Sequence, residues 1–123
     1  MTTRTLRSLD GRRILVVEDE FLIADDLCDG LAARGAVVVG PAPTVGSALE
    51  LVGRATRLDG AVLDINLGGE PVFPVAEALL KRRVPFLFTT GYDAFHIPPR
   101  FATAERYMKP VKPAVLAAAL FGG

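Results

Sequence analysis

The chain has 123 residues, half of them apolar, with 14 basic and 14 acidic side chains and a formal net charge of zero. That length holds one domain with a full hydrophobic core, and the apolar fraction argues against intrinsic disorder. Neutrality leaves no excess positive charge for nucleic acid or an anionic membrane, and the single cysteine, Cys28, excludes a disulfide framework and a multi-cysteine zinc site.

Met1–Asp10 reads as a loose, basic arm, and residues 11–123 as one domain. Five short apolar runs follow: Ile14–Val17, Ala36–Val39, Ala61–Ile65, Val84–Phe88 and Arg106–Met108. They are rich in Val and Ile and bounded by turn residues, as buried strands are. The first four lack polar alternation, which predicts cover on both faces, the signature of a parallel sheet. Between them lie helical patterns. Glu20–Arg34 carries Leu22, Ile23, Leu27 and Leu31 on one side, with Gly35 as its stop. Thr44 is placed to cap a helix with Val45, Ala48, Leu49 and Val52 on its apolar side, ending at Gly53. Pro74 and Pro113 suit the first turns of two more helices. Gly91–Glu105 contains Pro98 and Pro99, so a short or distorted helix is expected there.

Alternating strands and helices in this length predict an α/β domain, a doubly wound five-stranded parallel sheet. Ligands of such sheets bind beyond the carboxyl ends of the strands. Those ends carry chemistry: Glu18-Asp19-Glu20 after the first strand, Asp64 and then Asn66 after the third, Thr89-Thr90-Gly91 after the fourth, and Lys109-Pro110 after the fifth. Carboxylates brought together from two strand ends call for a cation. A donor set of Asp oxygens without nearby His or Cys suits Mg²⁺. A lysine and a hydroxyl beside that metal make a site for a phosphoryl group, and the central carboxylate can be its nucleophile.

The segments Ile14-Leu-Val-Val-Glu-Asp-Glu20, Val62-Leu-Asp-Ile-Asn66, Phe88-Thr-Thr-Gly91 and Lys109-Pro110 together resemble the receiver domain of two-component response regulators, over roughly Arg12 to Leu120. Pro85–Tyr92 is further similar to the single-domain receivers of alphaproteobacteria with a Phe-Ala-Thr-Gly-x-Tyr (FATGUY) motif, with Thr89 in place of the alanine. The resemblance implies the flavodoxin-like receiver fold with strand order 2-1-3-4-5. It implies that Asp64 accepts a phosphoryl group from a phosphohistidine on a sensor histidine kinase or histidine phosphotransfer protein. Asp19, Asp64 and the Asn66 main-chain carbonyl would bind Mg²⁺, Glu18 would act through a metal-bound water, and Thr90 and Lys109 would bind phosphoryl oxygens. The usual switch aromatic three residues before the lysine is replaced by Arg106, so Tyr92 or Tyr107 is the candidate partner of Thr90 in the switch.

The expectation is a stand-alone, cytoplasmic phosphoacceptor without a turnover reaction of its own. It switches the binding of a downstream protein partner and contacts neither nucleic acid nor membrane. The alternative is a pseudo-receiver that is never phosphorylated and acts as an interaction module. A flavodoxin-like carrier is disfavoured by three carboxylates where a flavin phosphate would sit, and an aspartyl phosphatase by Glu-Asp-Glu in place of Asp-x-Asp. Six acids and no Lys or Arg lie between Ile14 and Asp29, so the first helix is strongly acidic, with exposed apolar contacts expected around Phe21 and Ile23. Cys28 reads as a packing residue and His96 as a surface group.

Overall fold

The computed structural model describes residues 9–91 and 96–122. Five strands form one parallel sheet: β1 (Arg13–Val17), β2 (Val37–Ala42), β3 (Gly60–Asp64), β6 (Phe86–Thr90) and β7 (Arg106–Met108), in the order β2-β1-β3-β6-β7. This is the doubly wound receiver order, with β6 and β7 as its fourth and fifth strands. The helices are α1 (Phe21–Ala33), α2 (Val45–Arg54), α3 (Phe73–Lys81) and α4 (Pro113–Phe121). A two-stranded hairpin, β4 (Asn66–Leu67) and β5 (Glu70–Pro71), interrupts the crossover after β3.

The strand period of two divides the core. Ile14 and Val16 of β1, Val62 of β3 and Leu87 of β6 pack with Leu27 and Leu31 of α1 and Leu116 of α4. Leu15, Val17, Leu63 and Phe88 point the other way, onto Val45, Ala48 and Val52 of α2 and Val75 and Leu79 of α3. The sheet is therefore covered on both sides, as continuous apolar strands require. β2 departs from that expectation. It is an edge strand, with Val37 exposed and Ala42 its buried residue.

Helix boundaries follow local chemistry. Thr44 Oγ1 accepts from the Ser47 amide at 3.0 Å and Ser47 Oγ accepts from the Thr44 amide at 3.2 Å, closing a capping box on α2. Pro74 and Pro113 fall in the first turns of α3 and α4. Gly30 on α1 is required by packing, since a Cβ there would lie 2.6 Å from Pro113 Cγ. The stripe that α1 buries is Ala24, Leu27 and Leu31. Leu22, assigned to that stripe by sequence, is exposed together with Phe21. Leu49 of α2 is likewise partly exposed, because Val45, Ala48 and Val52 already fill the α2 contact.

The segment 96–105 holds a single 3₁₀ turn, Pro99–Phe101, in keeping with its two prolines. Phe101 is buried there. It stacks on Phe73 at 5.7 Å between centroids and meets Phe86 and Phe88 edge-on. At the amino terminus, Leu9 is fully buried and its amide donates to the Arg34 carbonyl. Leu9, which the sequence reading placed in the loose arm, is thus part of the core, while residues 1–8 of that arm lie outside the described residues.

Candidate functional site

Among the described residues, the buried polar or charged side chains are Glu18, Asp64 and Thr89. All three stand at the carboxyl end of the sheet. Ladder bonds fix their backbones: the Glu18 amide donates to Ala42 O, the Ile65 amide to Thr89 O and the Lys109 amide to Thr90 O. Strand ends distant in the chain are thereby held side by side at the crevice between β1 and β3.

Lys109 is the hub. Its side chain is 10% exposed, and its ammonium donates to Glu20 Oε1 at 2.7 Å, Asp64 Oδ2 at 3.1 Å and Glu18 Oε2 at 3.3 Å. Asp64, 1% exposed, accepts from the Asn66 amide at 3.2 Å through its other oxygen. Glu18, 5% exposed, also accepts from the Glu20 amide at 3.0 Å. The Asn66 side chain accepts from the Gly69 amide at 2.7 Å and ties down the hairpin. Gly68 and Gly69, the two residues of its turn, both have positive φ (61° and 96°), which glycine adopts without strain.

A cleft of about 430 Å³ opens here, with Asp19, Glu20, Asp64, Asn66, Gly68 and Lys109 in its wall. Oxygens of Glu18, Asp19 and Glu20 lie within 4.8 Å of one another. The electrostatics record the crowding. Burial, reinforced by the Asp64 charge, pushes Glu18 up from 4.5 to about 7, despite the Glu20 amide and Lys109. Burial likewise raises Asp64, outweighing its bonds to Lys109 and Asn66. For Lys109, burial acts against the ammonium, but the bonds to Glu20 and Asp64 prevail and hold it above the ordinary lysine value. Three carboxylates bonded to one ammonium, with Asp19 beside them in the cleft, offer hard oxygen donors that fit a divalent cation of the Mg²⁺ type.

Of the residues singled out by sequence, Glu18, Asp64 and Lys109 are in direct contact, and Asp19 and Asn66 share the cleft. Thr90 closes β6, and its hydroxyl donates to Gly91 O at 3.1 Å. Tyr92 lies outside the described residues. Tyr107 is paired in register with Thr89, and Thr90 with Met108. Its ring packs with the α1/α4 core and its hydroxyl donates to Glu105 Oε1 at 3.1 Å. Thr90 and Tyr107 therefore face opposite sides of the sheet. Sequence reasoning gave no role to the Glu20 carboxylate, although its place in the acidic triplet was a signal.

No family model matches the chain. The solution structure of SdrG from Sphingomonas melonis Fr1 is similar with a TM-score of 0.76 and 42% identity, covering 92% of this chain and 94% of that one. The response regulator PhyR from Brucella abortus is similar with a TM-score of 0.72 and 28% identity, over 98% of this chain and 53% of that one. The chain belongs to the response regulator receiver family. This receiver is also 34% identical over 125 residues to the phyllosphere-induced regulator PhyR of Methylorubrum extorquens, covering 95% of this chain and 45% of that protein. It thus spans less than half the length of that curated relative. SdrG is similar a second time in its BeF3-activated conformation, at 41% identity and a TM-score of 0.70, over 88% of this chain and 92% of that one. No helix among the described residues is long and apolar enough to cross a membrane.

Proposed function

We propose that this receiver accepts a phosphoryl group on Asp64 from a phosphohistidine donor and thereby switches its affinity for a protein partner. The observation that carries this reading is the bond from the Lys109 ammonium to Asp64 Oδ2 inside an acid-lined cleft. The BeF3-activated conformation recorded for SdrG supports it, since beryllofluoride resembles a phosphoryl group in shape and charge.

An Asp64 carboxylate oxygen attacks phosphorus, forming the O–P bond of an acyl phosphate as the N–P bond of the donor breaks. The imidazole leaves with that electron pair and takes a proton from solvent. Mg²⁺, held by Asp19, Asp64 and the Asn66 carbonyl with Glu18 through a water, would neutralise phosphoryl charge. Lys109 bonds one phosphoryl oxygen, and the Thr90 hydroxyl turns from Gly91 O to another. The protein's contribution is positioning and electrostatics. Water attack on phosphorus later returns the carboxylate and inorganic phosphate, so Asp64 acts as a timed switch rather than a turnover catalyst. A sensor histidine kinase or histidine phosphotransfer protein is the matching donor class.

Intact-mass measurement after incubation with phosphoramidate and Mg²⁺ tests this. The wild type gains one phosphoryl group and Asp64→Ala gains none. Equal modification of both removes Asp64 from the role. No modification of either, with Mg²⁺ saturating, favours the interaction-module alternative.

A further inference from the structure

Glu20 stands at the N-cap of α1 and makes no capping bond. Its carboxylate turns instead onto Lys109 at 2.7 Å, the shortest of that ammonium's three bonds. An ammonium has three donors, and Glu18, Glu20 and Asp64 fill them. A phosphoryl oxygen arriving on Asp64 can be bonded by Lys109 only if one of the three lets go. Releasing Glu18 leaves a buried carboxylate without that bond, and the Asp64 bond is altered by the acylation itself. The Glu20 side chain is 58% exposed and passes to water at small cost.

We propose that Glu20 is a resting-state latch on Lys109, a positioning residue that competes with the incoming phosphoryl group for the ammonium. The latch sets how readily the receiver enters its phosphorylated state. This rests on Asp64 as the phosphoacceptor and adds a residue that tunes the same site.

The test is beryllofluoride affinity at saturating Mg²⁺, followed by amide chemical shifts, in wild type, Glu20→Gln, Lys109→Ala and the double variant. The Mg²⁺ affinity of each is titrated first, so that saturation is assured. Glu20→Gln removes an exposed ion pair and is expected to bind about two- to fivefold more tightly. In the Lys109→Ala background the same change has no effect, because there is no ammonium left to release. Where Lys109→Ala binds too weakly to titrate, the rate of phosphorylation by phosphoramidate gives the same comparison. A gain that persists without Lys109 means simple charge repulsion and overturns the latch. Unchanged or weaker binding by Glu20→Gln overturns it too, while leaving Asp64 as acceptor. If the wild type itself binds no beryllofluoride and takes up no phosphoryl group, the phosphoacceptor reading fails and the latch with it.

Discussion

Glu18 carries a charge state that the fold itself makes expensive. It is buried beside Asp64, and burial is the first reason its carboxyl titrates near 7 rather than 4.5. Without a divalent cation, the native state between those values holds a proton that the unfolded chain has lost. The contribution is therefore fully present below about 4.5 and disappears as pH rises through about 7. Asp64, raised by the same burial, acts in the same direction. Metal-free protein should accordingly show a falling thermal midpoint from pH 4.5 to 7, with a shallower fall in Glu18→Gln. A midpoint that rises through this window, or a slope unaltered in Glu18→Gln, contradicts the assignment. Added Mg²⁺ should restore more stability at pH 8 than at pH 5, since the site is then fully ionised. At this scale Asp64, Lys109 and the acidic triplet were legible because charged residues directly after short apolar runs stand out. The Glu20–Lys109 pair was not, because sequence does not say which way an N-cap side chain turns.

At the scale of elements, α2 offers a clean check. Its reciprocal Thr44–Ser47 bonds satisfy amides that the helix leaves without partners. Thr44→Ala should cost about 1 kcal/mol in denaturant unfolding with an unchanged m-value. No measurable loss means that the box contributes nothing to stability. The helix starts at Thr44, Pro74 and Pro113 were readable because capping and first-turn chemistry is local. The Leu22 assignment failed for the opposite reason. Phe21, Leu22 and Ile23 are three consecutive apolar residues, and tertiary packing decides which of them turns inward. The β4–β5 hairpin went unread because two-residue strands are too short to show a period, although Gly68-Gly69 is a two-residue turn signal. Nor could periodicity show that Phe101 would be buried among Phe73, Phe86 and Phe88, since that cluster joins residues from three separate elements.

Across the whole molecule, zero net charge conceals a polarised distribution: Glu18, Asp19, Glu20 and Asp64 gather at one end of the sheet around Lys109. Spacing alone indicated a parallel α/β sheet, whereas the strand order came from the receiver resemblance, because spacing does not say which strands are neighbours. The order β2-β1-β3-β6-β7 brings Asp19 and Asp64 into one cleft and lays Lys109 across it. An acyl phosphate on Asp64 is a mixed anhydride, and borohydride reduces it to a homoserine that survives peptide mapping. Protein treated with phosphoramidate and Mg²⁺, then borohydride, should yield homoserine at position 64 and at no other aspartate, and none when Mg²⁺ is withheld. Homoserine at position 19, at another aspartate, or equally without Mg²⁺ contradicts the account.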